Sequence, residues 1–141
     1  MGSTNGRLTW MVVEDDHAIR DIIITMCELW GFNVIAFRDG YEASDYLKNP
    51  SPAEPLPAIA LLDIRVPGPW GHELGAMIRQ HPRLKDIAVI LMTAYELGGM
   101  DEEVYVHSAG ADGMLYKPLP PMDEMLDIIR RIAAKRATKI A

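Results

Sequence analysis

The sequence lacks the features of a secreted or membrane-spanning chain. Its 141 residues contain one cysteine, Cys27, so no internal disulfide can form, and the apolar spacing around this residue predicts a position on the buried side of a helix. The N-terminus has no apolar segment of signal-peptide length, and no later run approaches about 18 apolar residues, the length of a membrane span. We therefore expect a reduced, cytoplasmic setting without membrane association.

Positive charge is also scarce, since the formal net charge is −6 at pH 7. Five of the 14 lysines and arginines lie in residues 130–141, which contain no acid. The negative body argues against direct nucleic-acid binding by this domain. The four histidines lack metal-ligand spacing, so we assign them no chemistry.

Apolar patterning predicts a single domain in which strands and helices alternate. Short apolar or β-favouring runs predict strands over residues 8–13, 33–37, 59–62, 87–92 and 113–116. Apolar residues at 3.6-residue spacing predict helices over residues 17–30, 41–48, 71–81, 100–109 and 121–137. In the first of these helices the spacing places Ile22 inward, and in the last it places Met122 inward. We assign an N-terminal tail to 1–7, the domain to 8–137 and a C-terminal tail to 138–141.

This alternation predicts an α/β fold. Right-handed crossovers between parallel strands give a doubly wound, five-stranded parallel sheet with helices on both faces. We expect the flavodoxin-like strand order 2-1-3-4-5, in which strands one and three are neighbours where the order reverses. All strand C-termini then lie at one edge, which is where ligands bind in such sheets.

Polar residues follow several of these strands. Asp63 comes at the end of a buried run and, considered alone, would be a turn-forming residue before Pro67-Gly68. With strands one and three adjacent, however, one crevice receives six polar side chains: Glu14, Asp15, Asp16, Asp63, Thr93 and Lys117. Gathered carboxylates repel each other and suit a hard divalent ion with oxygen ligands, for which Mg²⁺ is the natural choice.

The same cluster is suited to phosphoryl transfer. A carboxylate can attack phosphorus where a cation neutralises the charge of the incoming group, and Asp63 would then become an acyl phosphate. Lys117 supplies a mobile positive charge, and the Thr93 hydroxyl can donate a hydrogen bond to a phosphoryl oxygen.

The chain resembles the response-regulator receiver domains of two-component phosphorelay signalling, from about Leu8 to Ala134. Four motifs carry the resemblance. They are VVEDD at residues 12–16, LLDIRVPG at 61–68, LMTA at 91–94, and AGADG at 109–113 leading to Lys117-Pro118. Their joint occurrence is far more specific than any one of them alone.

The resemblance implies a set of roles. Asp15 and Asp63, with the backbone carbonyl of Arg65, would bind Mg²⁺ directly, Glu14 would do so through water, and Lys117–Pro118 would be a cis peptide. Asp16 lies one place beyond the acidic pair of the family and is left out of the metal set. The implied partners are a sensor histidine kinase or phosphotransfer protein and an unknown effector or output domain, and homodimerisation is left open.

Three positions depart from the family pattern or modulate it. Met114 stands where the family usually has a tyrosine or phenylalanine, so an ordinary aromatic switch is not expected. Arg65 and Tyr95 occupy the two positions that flank the path of the hydrolytic water in the family. Because Tyr95 is bulky, we expect slow self-dephosphorylation of the phosphorylated form.

Two other functions compete with the phosphoacceptor interpretation, in which the chain catalyses only its own phosphorylation and slow dephosphorylation. A phosphohydrolase with an aspartyl-phosphate intermediate is disfavoured, because Arg65 stands where such enzymes usually have a second aspartate. A pseudo-receiver that acts only as a docking domain is disfavoured by the intact set of Glu14, Asp15, Asp63, Thr93 and Lys117.

Overall fold

The computed structural model describes residues 6–94 and 102–140, which form a five-stranded parallel sheet in the order β2-β1-β3-β4-β5. The strands are β1 Thr9–Val13, β2 Asn33–Phe37, β3 Ile59–Asp63, β4 Ala88–Ala94 and β5 Gly113–Lys117. The helices are α1 His17–Trp30, α2 Gly40–Lys48, α3 Gly71–Gln80, α4 Glu102–Ala109 and α5 Met122–Ile140. The predicted fold class and strand order are confirmed.

Both faces of the sheet are covered, which explains why its central strands are continuous apolar runs. Alternate residues of β3 point to opposite faces, so Leu62 joins the core beneath α2, α3 and α4, whereas Leu61 joins the core beneath α1 and α5. Every residue of β1 and β3 is buried. The sheet is therefore a fixed platform for the residues that follow its strands.

Two residues predicted to face the core are exposed. Ile22 in α1 is 56% exposed, whereas its neighbour Ile23 is fully buried. Successive helical residues differ by about 100° around the axis, and the buried face of α1 runs through Ile23, Met26 and Cys27, which leaves Ile22 outside it. Met122 is 40% exposed because it opens α5, while Met125 and Ile129, about one and two turns later, are fully buried. The predictions for Ile22 and Met122 were wrong.

The last helix is longer than predicted. It continues past Ala137 to Ile140, so residues 138–140 belong to α5 and not to a tail. The hydroxyl of Thr138 donates a hydrogen bond to the carbonyl of Ala134 at 3.1 Å, and Lys139 places a cation near the negative end of the helix dipole. Both interactions favour an additional helical turn.

A partly buried ionic cluster, the Asp112 clasp (Arg79, Asp112 and Arg136), joins elements at the N-terminal edge of the sheet. The Asp112 carboxylate accepts hydrogen bonds from the Arg79 guanidinium and from the backbone N–H of Val89, both at 2.9 Å. Arg79 also donates to the carbonyl of Ile87 at 2.7 Å, and Arg136 of α5 lies 3.6 Å from Asp112. The clasp ties α3, α5 and the starts of β4 and β5 together.

Two observations concern the environment of the chain. Cys27 is fully buried, and burial, followed by the charge of Glu28, raises the pKa of its thiol to about 12, so the thiol stays protonated and unreactive. Within residues 6–94 and 102–140, no helix combines the length and the apolar character that crossing a bilayer requires.

Candidate functional site

The candidate site lies at the C-terminal edge of the sheet, where the central strands end beside each other. Val13 of β1 pairs with Leu62 of β3, so the residues that follow them, Glu14 and Asp63, are neighbours. Lys117 ends β5 at the same edge. The predicted convergence of these side chains therefore follows from the parallel register alone.

Three carboxylates form a cluster at this edge. One oxygen each from Glu14, Asp15 and Asp63 can be chosen so that all three lie within 4.8 Å of one another. Glu14 is fully buried and Asp63 is 5% exposed, whereas Asp15 is exposed to solvent. The cluster is thus open on one side and closed on the other, which allows a ligand to enter from solvent.

Lys117 contacts two of these carboxylates. Its Nζ lies 2.6 Å from Oε1 of Glu14 and donates a hydrogen bond to Oδ2 of Asp63 at 2.8 Å. Burial by itself would lower the pKa of this amine, but the hydrogen bonds and charges of Asp63 and Glu14 outweigh burial and raise it. Lys117 therefore remains a cation beside Asp63. The Lys117–Pro118 peptide is cis, as the resemblance implies.

Glu14 has the most perturbed acidity in the site. Burial first, and then hydrogen bonding and charge repulsion from Asp63, raise its pKa to about 7, although Lys117 acts in the opposite direction. Its Oε2 accepts a hydrogen bond from the backbone N–H of Asp16 at 3.1 Å. A carboxyl with this pKa exchanges its proton near neutral pH, and an added cation would favour the ionised form.

The residues present fit a hard divalent cation. With all three carboxylates ionised, the single ammonium of Lys117 leaves two negative charges uncompensated within the cluster. The available donors are oxygens, the ligand type that Mg²⁺ prefers. In the roles that the resemblance implies, Asp15 and Asp63 would hold such an ion together with the Arg65 carbonyl, and Glu14 would contact it through water.

The loop that carries Arg65 is held closely against its surroundings. The backbone N–H of Arg65 donates to Oδ1 of Asp63 at 3.3 Å, and the N–H of Gly40 donates to the carbonyl of Pro67 at 2.8 Å. A Cβ atom at Gly71 would collide with the carbonyl of Asp63, so only glycine allows α3 to start this close to β3. The loop therefore has little freedom to move away from the carboxylate cluster.

Asp16 has a structural role. It is the N-cap of α1, and its Oδ1 accepts a hydrogen bond from the backbone N–H of Ile19 at 2.9 Å. Arg20, which the sequence analysis did not single out, donates from Nη1 to the backbone carbonyl of Glu14 at 2.9 Å. Nothing local in the sequence distinguishes this arginine from a solvent-exposed helix residue, so no sequence signal could have identified the contact.

The other predicted residues lie in different surroundings. Thr93 is buried near the end of β4, one residue beyond the partner of Asp63 in the sheet. Met114 lies in β5, partly buried against the core beneath α4. Tyr95 lies outside the described residues, so its proposed effect on dephosphorylation stays a prediction. Trp70 is the N-cap of α3, but its indole makes no capping hydrogen bond; its backbone N–H donates to Glu73 at 2.8 Å, and its carbonyl accepts from the N–H of Leu74 at 2.9 Å.

Comparisons with known proteins agree with this geometry. Residues 10–130 match the family described as the response regulator receiver domain. The chain is 28% identical to response regulator Rre1 of Synechocystis, over 92% of this chain and 53% of that protein. It thus spans about half the length of the first curated relatives that it matches.

Solved structures show the same fold. A CheY-like response regulator receiver domain protein from Methanospirillum hungatei has a TM-score of 0.78 at 23% identity, covering 95% of this chain and 99% of the other. The receiver domain of a sensor histidine kinase from Pseudomonas aeruginosa has a TM-score of 0.75 at 23% identity, covering 92% and 99% of the two chains. That structure holds a magnesium ion in its active-site cleft.

Proposed function

Since the chain belongs to the response regulator receiver domain family, we propose that Asp63 accepts a phosphoryl group from a phosphohistidine donor and that this changes a protein-interaction face. Members of this family are signalling proteins and not metabolic enzymes. The observation that carries the proposal is the position of the Asp63 carboxylate, which accepts a hydrogen bond from the Lys117 ammonium at 2.8 Å and clusters with the carboxylates of Glu14 and Asp15. The family match over residues 10–130 lies inside the predicted domain, 8–137.

The proposed reaction is a displacement at phosphorus. A carboxylate oxygen of Asp63 forms a P–O bond while the P–N bond of the donor phosphohistidine breaks, and the imidazole leaves with the bonding electron pair. Lys117 offsets the charge of the transferred group, and Thr93 donates a hydrogen bond to it. Bound Mg²⁺ would supply charge neutralisation between the carboxylates and the phosphoryl oxygens.

Phosphorylation by a small donor tests this function. Incubation with Mg²⁺ and acetyl phosphate or phosphoramidate should add one phosphoryl group to the intact mass, and EDTA should prevent the addition. Absence of an adduct under conditions that phosphorylate a known receiver would contradict the proposal and favour a docking-only domain. Continuous phosphate release from an unrelated phosphate ester would favour the phosphohydrolase.

A groove beside the site fits a helical phosphoryl donor. It has a volume of about 410 Å³ and lies between α1 and the segment after β5, and Lys117 is one of its lining residues. Its other lining residues are almost all apolar: Ile19, Ile22, Met26, Pro118, Leu119, Pro120 and Met122. Exposed apolar side chains next to the reactive lysine suit the apolar face of a partner helix that carries the phosphohistidine.

Ile22→Glu should selectively impair phosphorylation by a protein donor. Burying an isoleucine side chain contributes about 1.5–3 kcal/mol, so transfer from a phosphorylated kinase or phosphotransfer protein should slow by about tenfold or more. Phosphorylation by acetyl phosphate should not change. Leu29→Glu is the matched control, because Leu29 is 69% exposed on the same helix and does not line the groove. Equal slowing with both donors, or in both variants, would exclude docking at this groove.

The remaining parts of the proposal concern cell compartment and partners. We place the chain in the cytoplasm, because its only cysteine is a buried thiol and a phosphohistidine donor acts there. The net charge of −6 supports protein partners and not direct nucleic-acid binding. The effector or output domain is unidentified, and a homodimer is compatible with every contact described above.

A further inference from the structure

Three aromatic side chains connect the loop after Asp63 to α4, and we call them the ring chain (Trp70, His72 and Tyr105). The centroids of Trp70 and His72 are 6.0 Å apart, and those of His72 and Tyr105 are 4.9 Å apart, both in edge-on geometry. Offset and edge-on arrangements are the favoured geometries of aromatic pairs. The chain therefore forms a continuous contact path from the β3–α3 loop across α3 to α4.

The first end of the ring chain touches the phosphoacceptor site. The guanidinium carbon of Arg65 lies 5.9 Å from the centre of the Trp70 ring, within the range of a cation–π contact. Arg65 is two residues from Asp63, and its backbone N–H donates to that carboxylate. A change in charge at Asp63 therefore acts on an arginine whose side chain lies over Trp70.

The second end of the ring chain is a buried residue of α4. Tyr105 is 4% exposed and belongs to the core that α3 shares with the sheet. One turn later, a Cβ atom at Gly75 would lie 2.7 Å from Cβ of Ala109, so α3 and α4 are nearly in backbone contact there. The close contact between Gly75 and Ala109 fixes the C-terminal end of α4. A shift of the Tyr105 ring would therefore tilt the rest of α4 about Ala109.

His72 is the member of the ring chain with an unsatisfied hydrogen-bonding atom. Its Nδ1 is buried and has no hydrogen-bond partner among the described residues, and burial, only partly offset by Glu73, lowers its pKa. A neutral imidazole is thus held with an unsatisfied nitrogen, which costs free energy in this arrangement. A rearrangement that gives Nδ1 of His72 a hydrogen-bond partner would recover this free energy. The ring contact between His72 and Tyr105 can therefore be replaced by a different contact of His72.

The relative strengths of a cation–π contact and a charge-assisted hydrogen bond decide which partner Arg65 takes after phosphorylation. A hydrogen bond from the guanidinium to a charged phosphoryl oxygen is charge-assisted and can be bidentate, so it is stronger than a single exposed cation–π contact. A phosphoryl group two residues away would therefore draw the guanidinium off the indole. Trp70 would then lose the contact that covers its outer face, and its edge contact with His72 would change.

We propose that phosphorylation of Asp63 is transmitted to α4 through the ring chain, with His72 as the link between the β3–α3 loop and Tyr105. The inference rests on the proposed function, because it needs the phosphoryl group at Asp63. Met114 in β5 has no ring to report that group, and it lies against the same core as Tyr105. The ring chain thus gives this protein an aromatic contact path from the phosphoacceptor site to α4, although position 114 has no ring.

The test compares the backbone amide shifts of α4 in the free and phosphorylated chain, with intact mass measured on the same samples. Wild type should show shifts over residues 102–109 when it is phosphorylated with Mg²⁺ and acetyl phosphate. His72→Leu should form the same amount of adduct and lose the α4 response. Tyr105→Phe, which keeps the ring, and Met114→Ala, which leaves the ring chain intact, should retain the response.

Each alternative result is informative. An α4 response that persists in His72→Leu overturns the inference, and so does loss of the response in Tyr105→Phe or Met114→Ala. If His72→Leu fails to fold, Trp70→Leu breaks the same path at a side chain that is 38% exposed and should give the same loss. Absence of a phosphoryl adduct in wild type would instead overturn the proposed function and the inference with it.

Discussion

Asp63→Asn is expected to abolish the phosphoryl adduct completely. The amide is nearly isosteric with the carboxylate, and its oxygen can still accept the Lys117 hydrogen bond, but a neutral amide does not attack phosphorus. Intact mass after incubation with Mg²⁺ and acetyl phosphate measures the effect. Because the substitution also removes one charge from a repelling cluster, we expect no loss of thermal stability.

Asp16→Asn is the matched control for this experiment. Asp16 lies beside the acidic pair in sequence, but its carboxylate caps α1, a role that asparagine fills equally well. The control should be phosphorylated like wild type. An adduct that survives in Asp63→Asn, or that disappears in Asp16→Asn, would place the acceptor elsewhere.

Affinity for Mg²⁺ should fall by about tenfold between pH 8 and pH 6, because the ion must displace a proton from a carboxyl with a pKa of about 7. Above that pH Glu14 is already ionised, so the affinity should level off. Calorimetric titration at both pH values measures the affinity, and buffers of different ionisation enthalpy measure the proton release. Glu14→Gln has no such proton to release, so its weaker binding should vary little over this range.

The same pKa predicts how the metal-free chain responds to pH. The pKa of Glu14 is raised from 4.5 to about 7 in the folded state, so the folded chain binds this proton more tightly than the unfolded chain does. The stabilisation is complete below pH 4.5 and is lost as pH rises through about 7. The melting temperature without metal should therefore decrease over this interval relative to Glu14→Gln, and Mg²⁺ should restore it mainly at the upper end. A pH-independent Mg²⁺ affinity would contradict both expectations.

Much of the fold and site follows from local sequence because parallel strands share a direction. Once β1 and β3 are identified as neighbouring strands, Glu14 and Asp63 must follow them at the same edge, whatever the loops do. The bounds of α1 were predicted correctly, and Gly31, which ends the helix in a left-handed conformation, is a local signal for its end; Asp16, which the sequence analysis assigned to the crevice, caps its start. Asp63 itself was ambiguous alone and became informative only through residues distant in sequence.

Other features depend on contacts between elements and could not be predicted in this way. The spacing of α1 allowed Ile22 or Ile23 to face the core, and only the position of the sheet excludes Ile22. The edge-on contact of His72 with Tyr105 joins two helices whose separation is set by a glycine against an alanine. Nor does the sequence show that Lys117 touches Glu14 as well as Asp63, because that depends on how far β5 lies from β1.

The Asp112 clasp restricts how the elements that it joins can move. At the edge of the sheet opposite Asp63, it joins α3 to the starts of β4 and β5 through hydrogen bonds of 2.7–2.9 Å, and it joins α5 through the Arg136–Asp112 contact at 3.6 Å. Because the clasp holds these elements together at the N-terminal edge of the sheet, a change of spacing around Asp63 would have to be taken up at their other ends, near the site.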